Sequence, residues 1–300
     1  MPLNINSNVF ITCAITGSGS TQNRSNEVPR SPKEIAETCE IIVTCLPSPS
    51  ASASVMEDEN GILAGLSAGK VWIEMSTTDQ QEVLRLGQKV ENLGALPADC
   101  PVSGGCHRAA TANIAIFAGC ERAVFERVLP LLARMGQQVL HTGELGSASV
   151  LKVVTNYLAT ANLLSLSEAL VTTKAAGLDL ATAYEAIRIS SGNSFVHETE
   201  SQVILNGSRD INFTMDLVIK DISLFQEIAD RENVPLEISP LLIEIFKDAQ
   251  NKYGPREWSP NVIRRLEDST GLDVTTGGFP AEIVDDEPER LGEEVVVSRK

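Results

Sequence analysis

The first half of the chain alternates short β-type segments with amphipathic helical segments, and this alternation limits the fold most strongly. The candidate strands are Val9–Ala14, Ile41–Leu46, Val71–Met75, Ala95–Cys100, Ile114–Ala118 and Gln137–His141. The helical segments between them include Pro32–Cys39, Gln80–Asn92 and Glu121–Met135. Strands that alternate with helices of this length are typical of a parallel sheet covered by helices on both faces. The pattern therefore predicts an α/β domain.

The β-type pattern ends near Gly146, and only helical patterns follow. Residues Ser147–Ala176 contain neither glycine nor proline and stop before Gly177, which predicts one helix about 45 Å long. The later helical segments are Leu180–Ile189, Phe195–Leu205, Thr214–Asn233, Ser239–Lys252 and Pro260–Asp268. We therefore predict an α/β domain over residues 1–145, an all-helical domain over residues 146–275 joined to it by the long helix, and an acidic tail over residues 276–300.

Charge and composition restrict the partners of the chain. With 43% hydrophobic residues it can bury a core, and its formal net charge of -16 argues against a nucleic acid or an anionic membrane as partner. No apolar stretch reaches the roughly eighteen residues that a membrane span needs, and the first residues lack the pattern of a secretory signal. These features favour a soluble cytoplasmic protein with a solvated acidic tail, in which the turn around Phe279 could cover part of the fold.

The cysteines and histidines do not form a metal-binding pattern. The six cysteines lie in the first half without a CxxC pair, so we expect reduced, mostly buried thiols rather than disulfides. The three histidines have neither HxH nor HxxxH spacing. We therefore expect no metal site.

The stretch PVSGG, Pro101–Gly105, follows a candidate strand directly. Adjacent glycines allow a sharp turn whose N–H groups can approach another molecule closely, which suggests a site for an anionic ligand. Gly and Ser are, however, also common in ordinary tight turns that bind no ligand. From the residues alone, both interpretations of PVSGG stay open.

Two lysines in the helical half could carry chemistry. Lys152 lies on the long helix near the predicted domain junction, where desolvation could lower its pKa enough for proton transfer, and Asn156 follows one helical turn later. Lys152 could instead extend its amine to water. Lys220 and Asp221 interrupt an apolar helical face, and an exposed ion pair is the simplest interpretation of this second site.

Seven stretches together resemble one enzyme family in order and spacing. They are IIVTCLPSP at Ile41–Pro49, GILAGLSAGKVWIEMSTT at Gly61–Thr78, DCPVSGG at Asp99–Gly105, ERVLPLLARMG at Glu126–Gly136, GELGSASVLKVVTNYL at Gly143–Leu158, SSGNS at Ser190–Ser194 and MDLVIKDISL at Met215–Leu224. The chain resembles the β-hydroxyacid dehydrogenases, the family of 3-hydroxyisobutyrate dehydrogenase, which is related to 6-phosphogluconate dehydrogenase. The resemblance implies a Rossmann-like, mostly parallel sheet domain followed by an all-helical domain.

The resemblance also implies an activity and a substrate site. Members interconvert a small 3-hydroxy acid and its semialdehyde by NAD(P)-dependent hydride transfer, with a lysine as general acid and base. By this resemblance, Lys152 is the catalytic lysine, Asn156 binds and orients the substrate, and the substrate carboxylate is held by Ser103, Gly104 and Gly105. Hydride chemistry of this kind needs no metal.

Four further residues would contact the cofactor by the same resemblance. Leu46, Pro47 and Thr77 would line the dinucleotide site, and Lys220 would reach it from the helical domain. The sequence does not distinguish NAD from NADP, because the end of the first candidate strand offers neither a selective acid nor an arginine. The family also implies a homo-oligomer, either a dimer or a tetramer.

The chain departs from the family at its start. A GxGxxG turn between a first strand and a helix normally holds the cofactor pyrophosphate. Here the glycine cluster TGSGS, Thr16–Ser20, precedes a polar segment. Either Val9–Ser20 is a degenerate first strand and turn, or the first βα unit is absent, which we favour. The alternative function is therefore a redox-inactive homologue that keeps the fold and binds a carboxylate or a partner subunit.

Overall fold

The computed structural model of the chain describes the backbone of residues 10–14 and residues 31–298. Within this part, the chain divides into two compact units. Described residues up to 104, residues 112–152 and the chain from 289 onward belong to the first unit, and residues 105–111 and 153–288 belong to the second. The predicted boundary at 145/146 thus differs from the division between the units, which falls at Lys152/Val153.

The first unit contains a sheet that the described strands build in the order β1-β2-β3-β4-β6-β7-β8, with β5 paired to β6. The strands are β1 (Phe10–Ala14), β2 (Ile41–Cys45), β3 (Val71–Glu74), β4 (Leu96–Asp99), β5 (Val102–Ser103), β6 (Ala115–Gly119), β7 (Gln138–Gly143) and β8 (Glu293–Glu294). The β2–β3, β3–β4, β6–β7 and β7–β8 pairs are parallel. The predicted Rossmann-like, mostly parallel architecture is confirmed.

Twelve helices and one 3-10 helix occur in the described part of the chain. They are α1 (Pro32–Thr38), α2 (Pro49–Glu57), α3 (Ile62–Gly65), α4 (Gln80–Asn92), α5 (Gly105–Ala110), α6 (Arg122–Met135), α7 (Ser147–Ala175), α8 (Leu180–Arg188), α9 (Phe195–Asn206), α10 (Met215–Arg231), α11 (Ile238–Tyr253), the 3-10 helix Ser259–Ile263, and α12 (Arg264–Thr270).

Helix starts follow from local sequence. Ser31 and Ser48 cap α1 and α2 with their hydroxyl oxygens, and each is followed by a proline at the first helical position. The Asp79 carboxylate accepts a hydrogen bond from the Glu82 N–H at the start of α4. Such side chains satisfy backbone N–H groups that have no partner within the helix, so each helix begins where its capping residue stands.

Both faces of the sheet are buried, as the alternating pattern requires. Ile41 and Val43 of β2 pack in one apolar cluster with Phe125 of α6, whereas Ile42 between them packs in a second cluster with Leu86 of α4. Successive side chains of a strand point to opposite faces, so a strand with an unbroken apolar run needs a cover on each side. The helices predicted between the strands provide these covers.

Three pairings of the mostly parallel sheet are antiparallel. β1 is antiparallel to β2, and both β4 and β5 are antiparallel to β6. Parallel neighbours need a long crossover connection, usually a helix, and between β4 and β6 the chain has only the two-residue β5 and the six-residue α5. At the sheet edge, an antiparallel β1 does not form a βαβ unit with β2. The glycine cluster Thr16–Ser20 lies outside the described residues.

The second unit is helical and has one large core. This core contains Leu166 and Leu170 of α7, Val218 and Ile222 of α10, and Phe246 of α11. The α7 helix has 29 residues, hence a length of about 44 Å, and it ends before Gly177, whose positive φ of 76° suits glycine. The predictions of a long helix and of a helical second half are confirmed.

Most of the described part of the acidic tail is exposed, as expected for a solvated segment, but two parts of it pack against the fold. Phe279 packs against the core of the second unit and makes an edge-on contact with Tyr184, so the predicted covering role of this turn is confirmed. Further on, β8 pairs in parallel with β7, and Arg122 forms two hydrogen bonds to the Glu294 carboxylate, of 2.6 and 2.9 Å. Glu294 of the tail therefore serves as a partner for a basic side chain of α6.

The state of one cysteine also differs from the expectation. Cys39 forms a disulfide bond, whereas Cys45, Cys100, Cys106 and Cys120 are not disulfide-bonded. The prediction of reduced thiols throughout is therefore wrong at Cys39, and the cytoplasmic location stays a prediction. None of the helices in residues 31–298 has the combination of length and apolar character that a membrane crossing needs.

Candidate active site

Three segments with predicted roles follow the carboxyl ends of neighbouring parallel strands. Leu46 and Pro47 follow β2, Thr77 follows β3, and Ser103 with Gly104 follows β4 through the short β5. Because β2, β3 and β4 run in the same direction, their carboxyl ends meet at one edge of the sheet of the first unit. This edge is the usual place for a ligand in an open α/β sheet.

The PVSGG segment needs its two glycines. Gly104 has φ of 134° and Gly105 has φ of 85°, both in the left-handed region that other residues rarely adopt. A Cβ atom at Gly105 would also lie only 2.9 Å from the His107 ring. Ser103 and Gly104 are half-buried and Gly105 is exposed, so the backbone at this turn is open to a ligand. Ser103 and Gly104 belong to the first unit, and Gly105 begins the part of the chain assigned to the second.

Lys152 lies in the second turn of α7 and is the last residue of the first unit along that helix. Its exposed fraction is 8%, so the side chain does not extend into water as the simplest interpretation of its sequence suggested. Burial of a lysine among packed elements is uncommon without a role or a partner. The amine is therefore held within the folded unit.

The start of α7 is held by Asp99, the last residue of β4. Its Oδ1 atom accepts a hydrogen bond from the Gly146 N–H at 2.9 Å, and Oδ2 accepts from the Ser149 N–H at 2.7 Å and from the Ser149 hydroxyl at 3.0 Å. The carboxyl is fully buried, and this burial raises its pKa, whereas the hydrogen bonds act in the opposite direction. Asp99 thus ties the helix that carries Lys152 to the strand that leads into PVSGG.

A second buried carboxylate organises the ends of β2 and β3. Glu74 accepts hydrogen bonds from the hydroxyl of Ser52 at 3.0 Å, from the N–H of Ser76 at 2.9 Å and from the Ser76 hydroxyl. The Ser76 oxygen in turn accepts from the Leu46 N–H at 2.7 Å. Burial raises the pKa of Glu74, and its hydrogen bonds oppose this rise. The network brings the predicted cofactor residues Leu46 and Thr77 to one edge.

In the second unit, Asp221 connects two other predicted site residues. Its Oδ2 atom accepts a hydrogen bond from the Asn156 amide at 2.6 Å, and its Oδ1 atom lies 2.9 Å from the Lys220 amine. Neighbouring residues on a helix point in different directions, so the Lys220 contact is a charge contact rather than an aligned hydrogen bond. The Asp221 side chain is only 2% exposed and that of Lys220 is 20% exposed, so the expected surface pair is in fact largely buried.

Sequence reasoning gave no role to Asp99 or Glu74, and it interpreted Asp221 only as half of an exposed ion pair. The signal was present, because Glu74 and Asp99 each end an otherwise apolar strand, and Asp221 interrupts an apolar helical face. An acid in such a position is either exposed or bound by donors, and only the three-dimensional structure decides which.

Residues 31–298 contain no group of three or more His, Cys, Asp or Glu side chains that could hold a metal ion.

Comparison with known proteins agrees with this architecture. Residues 17–143 match the NAD binding domain of 6-phosphogluconate dehydrogenase, and residues 146–266 match the NAD-binding domain of NADP-dependent 3-hydroxyisobutyrate dehydrogenase. Among solved structures, a 3-hydroxyisobutyrate dehydrogenase from Salmonella typhimurium superposes with a TM-score of 0.71 at 24% identity, covering 78% of this chain and 82% of the other. That likeness supports the fold.

Two curated relatives share more of the sequence. The chain is 33% identical to a 2-(hydroxymethyl)glutarate dehydrogenase of Eubacterium barkeri, over 82% of each protein. It is 30% identical to the mitochondrial 3-hydroxyisobutyrate dehydrogenase of Rattus norvegicus, over 78% of this chain and 72% of the relative. Identity at this level over most of both chains, together with the fold, shows that the chain belongs to the β-hydroxyacid dehydrogenase family.

Proposed function

We propose that the protein is an NAD(P)-dependent oxidoreductase that interconverts a small 3-hydroxy acid and its semialdehyde, with Lys152 as general acid and base. One observation of the first unit carries the proposal: Leu46, Thr77 and Ser103 follow the carboxyl ends of parallel strands, and Asp99 at the end of β4 is hydrogen-bonded to the start of the helix that carries Lys152. The substrates in the names of the two relatives support the substrate class. Both are acids with the shared unit HOCH₂–CH(R)–COO⁻.

In the proposed reaction, this chain binds the acid and manages one proton. The Ser103 hydroxyl and the N–H groups of Gly104 and Gly105 donate to the substrate carboxylate. The Lys152 amine takes the proton of the 3-hydroxyl group as the C3 hydride leaves, and returns it to the aldehyde oxygen in the reverse direction. Asn156 follows four residues later on the same helix and orients the hydroxyl, while Asp221 fixes the Asn156 amide. The bound nicotinamide supplies the hydride acceptor.

The residues at the carboxyl edge of β2 and β3 fit a dinucleotide. Leu46 and Thr77 stand at this edge, and the buried Thr78 hydroxyl has no hydrogen-bond partner among the described residues. Such an oxygen can be satisfied by a polar ligand. Lys220, by resemblance, contributes a positive charge toward the cofactor, and its pairing with Asp221 keeps the amine in place.

The antiparallel β1 favours a second candidate function. A strand that leads into a GxGxxG turn runs parallel to its neighbour in a βαβ unit, and β1 does not. A homologue without that pyrophosphate anchor would hold a carboxylate but perform no redox chemistry. Titration with NADH and NADPH, followed by fluorescence, separates the two candidates: millimolar cofactor without any signal change would remove the enzyme from consideration.

Turnover tests the proposed chemistry directly. We expect reduction of NAD or NADP with 3-hydroxyisobutyrate or 2-(hydroxymethyl)glutarate, and loss of about 100-fold or more in kcat for Lys152→Ala with unchanged affinity for the cofactor. The matched control is Lys89→Ala, because the Lys89 side chain is 48% exposed and lies outside the site. Full activity of Lys152→Ala would contradict the assigned role.

We also propose a homo-oligomer, dimeric or tetrameric, formed through the second unit. Leu178, Ile189, Ile238 and Leu241 are 54 to 76% exposed, which is costly for large apolar side chains of a monomer. Sedimentation equilibrium at micromolar concentration measures the mass, and a strict monomer would contradict the proposal.

A further inference from the structure

Asp99 occupies an unusual position in the first unit. It is the last residue of β4 and stands four positions before Ser103, and it binds the backbone of α7 at Gly146 and Ser149, three positions before Lys152. One carboxylate therefore connects the proposed carboxylate cradle and the proposed proton carrier through short, hydrogen-bonded pieces of chain.

The chemistry of this contact requires a carboxylate. The first N–H groups of a helix have no partner within it and carry the positive end of the helix dipole, so an anion binds them more strongly than a neutral acceptor does. Asp99 accepts three hydrogen bonds, from two N–H groups and one hydroxyl, and offers no donor. An amide of the same shape would turn an N–H₂ group toward at least one of these donors.

The surroundings leave little room for Asp99 to move. The carboxyl is fully buried, and a Cβ atom added at Gly119 of β6 would lie 2.3 Å from its Oδ1 atom. The neighbouring Ser147 hydroxyl is hydrogen-bonded to Thr142 at 2.7 Å, so β7 holds the same turn of α7 from its other side. The position of this first helical turn is thus set by packing and by a fixed anion.

We infer that Asp99 is a positioning residue for the proposed reaction, which acts through the first turn of α7 to hold the Lys152 amine in register with the Ser103–Gly104 cradle. This inference rests on the proposed function for its consequence in catalysis. Its structural part, the restraint of Lys152 by the Asp99 carboxylate, can be measured without substrate.

The decisive experiment compares the reactivity of Lys152 in wild type, Asp99→Asn and Ser149→Ala. Lysines of the whole protein are labelled with a trace of acetic anhydride, and mass spectrometry gives the rate at Lys152 relative to that at the exposed Lys89. We expect this ratio to rise about threefold or more in Asp99→Asn, and by a smaller factor in Ser149→Ala, because the amine gains access when its helical turn loosens. The control is Val128→Ala, which removes buried volume from α6 of the same unit, where Val128 is fully buried, and should leave the ratio unchanged.

Kinetics provide the second readout. The substrate is the acid that the wild type turns over, either 3-hydroxyisobutyrate or 2-(hydroxymethyl)glutarate. Asp99→Asn should lower kcat about 10- to 100-fold while cofactor affinity stays within about twofold, because a displacement of the Lys152 amine by about 1 Å has an effect of this size on the rate. A purely structural cap would instead lower the folded fraction and leave the kcat of the folded enzyme unchanged.

The outcomes separate the two proposals. If wild type turns over neither acid, the proposed function fails and the Lys152 labelling ratio alone decides on Asp99. If Asp99→Asn does not fold, the Ser149→Ala ratio decides, since that change removes a single hydrogen bond. An unchanged ratio in every folded variant overturns the inference, as does an unchanged kcat in Asp99→Asn of an active enzyme.

Discussion

Gly119 offers a test of how tightly β6 packs against the start of α7. A Cβ atom at this position would lie 2.3 Å from Asp99 Oδ1, 2.9 Å from Ser147 Oγ and 3.0 Å from the Ala148 nitrogen. Alanine can adopt the backbone conformation of Gly119, because the φ angle of this residue is not in the left-handed region. The Gly119→Ala change therefore acts through space alone.

The expected cost can be estimated from these contacts. Asp99 Oδ1 cannot rotate away without weakening its hydrogen bond to Gly146, so the added methyl group must push the carboxylate or the helix by about 1 Å. Overpacking of this kind lowers the unfolding free energy by about 1–3 kcal/mol, and a weakened buried hydrogen bond lowers it by about 1 kcal/mol more. The smaller conformational entropy of alanine in the unfolded chain offsets about 0.5–1 kcal/mol of this loss. The net loss of unfolding free energy is about 1–3 kcal/mol.

Differential scanning calorimetry of the variants measures this loss. In a chain of this size, each kcal/mol lost from the unfolding free energy lowers the unfolding temperature by about 2–4 °C, so Gly119→Ala should lower it by about 2–12 °C. Gly277→Ala is the matched control, because no atom lies within 4 Å of its added Cβ, and we expect it to change the unfolding temperature by less than about 2 °C. A Gly119→Ala protein as stable as wild type would refute the packing argument.

Three further changes test other contacts. Asp221→Asn should lower the unfolding free energy by about 2–4 kcal/mol in urea titrations, because it removes the buried negative charge that lies 2.9 Å from the Lys220 amine; an unchanged midpoint would contradict this. Burial raises the pKa of Glu200 to about 8, so the native state holds a proton that the unfolded chain releases, and the unfolding free energy should fall as pH rises from about 5 to 8. Thermal scans should show a weaker fall in Glu200→Gln, and an equal fall would refute the raised pKa of Glu200. The Glu294→Gln change removes one of the two carboxylate partners of Arg122, so the unfolding temperature should drop slightly at neutral pH. Because Arg122 lowers the pKa of Glu294, the difference from wild type should vanish in about 1 M salt and as pH falls through this lowered pKa.

The periodic parts of the fold were predictable from the sequence. The short apolar runs of β2 and β3 reflect burial on both faces, and the helical period of α4 and α6 reflects burial on one face, so these elements were found within one or two residues. The uninterrupted run Ser147–Ala176 gave α7 for the same reason, since neither glycine nor proline breaks it.

Strand direction and long-range contacts were not predictable in this way. Alternating burial is the same for parallel and antiparallel strands, so the direction of β1 and of β6 could not be obtained from it. The acidic tail was judged by its charge, yet Glu294 of β8 accepts two hydrogen bonds from Arg122, more than 170 positions away. For the candidate site, residue types indicated Lys152 and PVSGG, but the roles of Asp99 and Asp221 depend on which donors surround them.

The return of the chain as β8 links the maturation of the first unit to the synthesis of the second. Strand β7 begins at Gln138, whereas its neighbour β8 begins at Glu293, so residues 153–288 of the second unit are translated after β7 and before β8. During that interval the β7 edge has unpaired backbone groups that can bind other extended chains. Slow translation or truncation within the helical unit should therefore promote aggregation through this edge, even though the rest of the sheet can already fold.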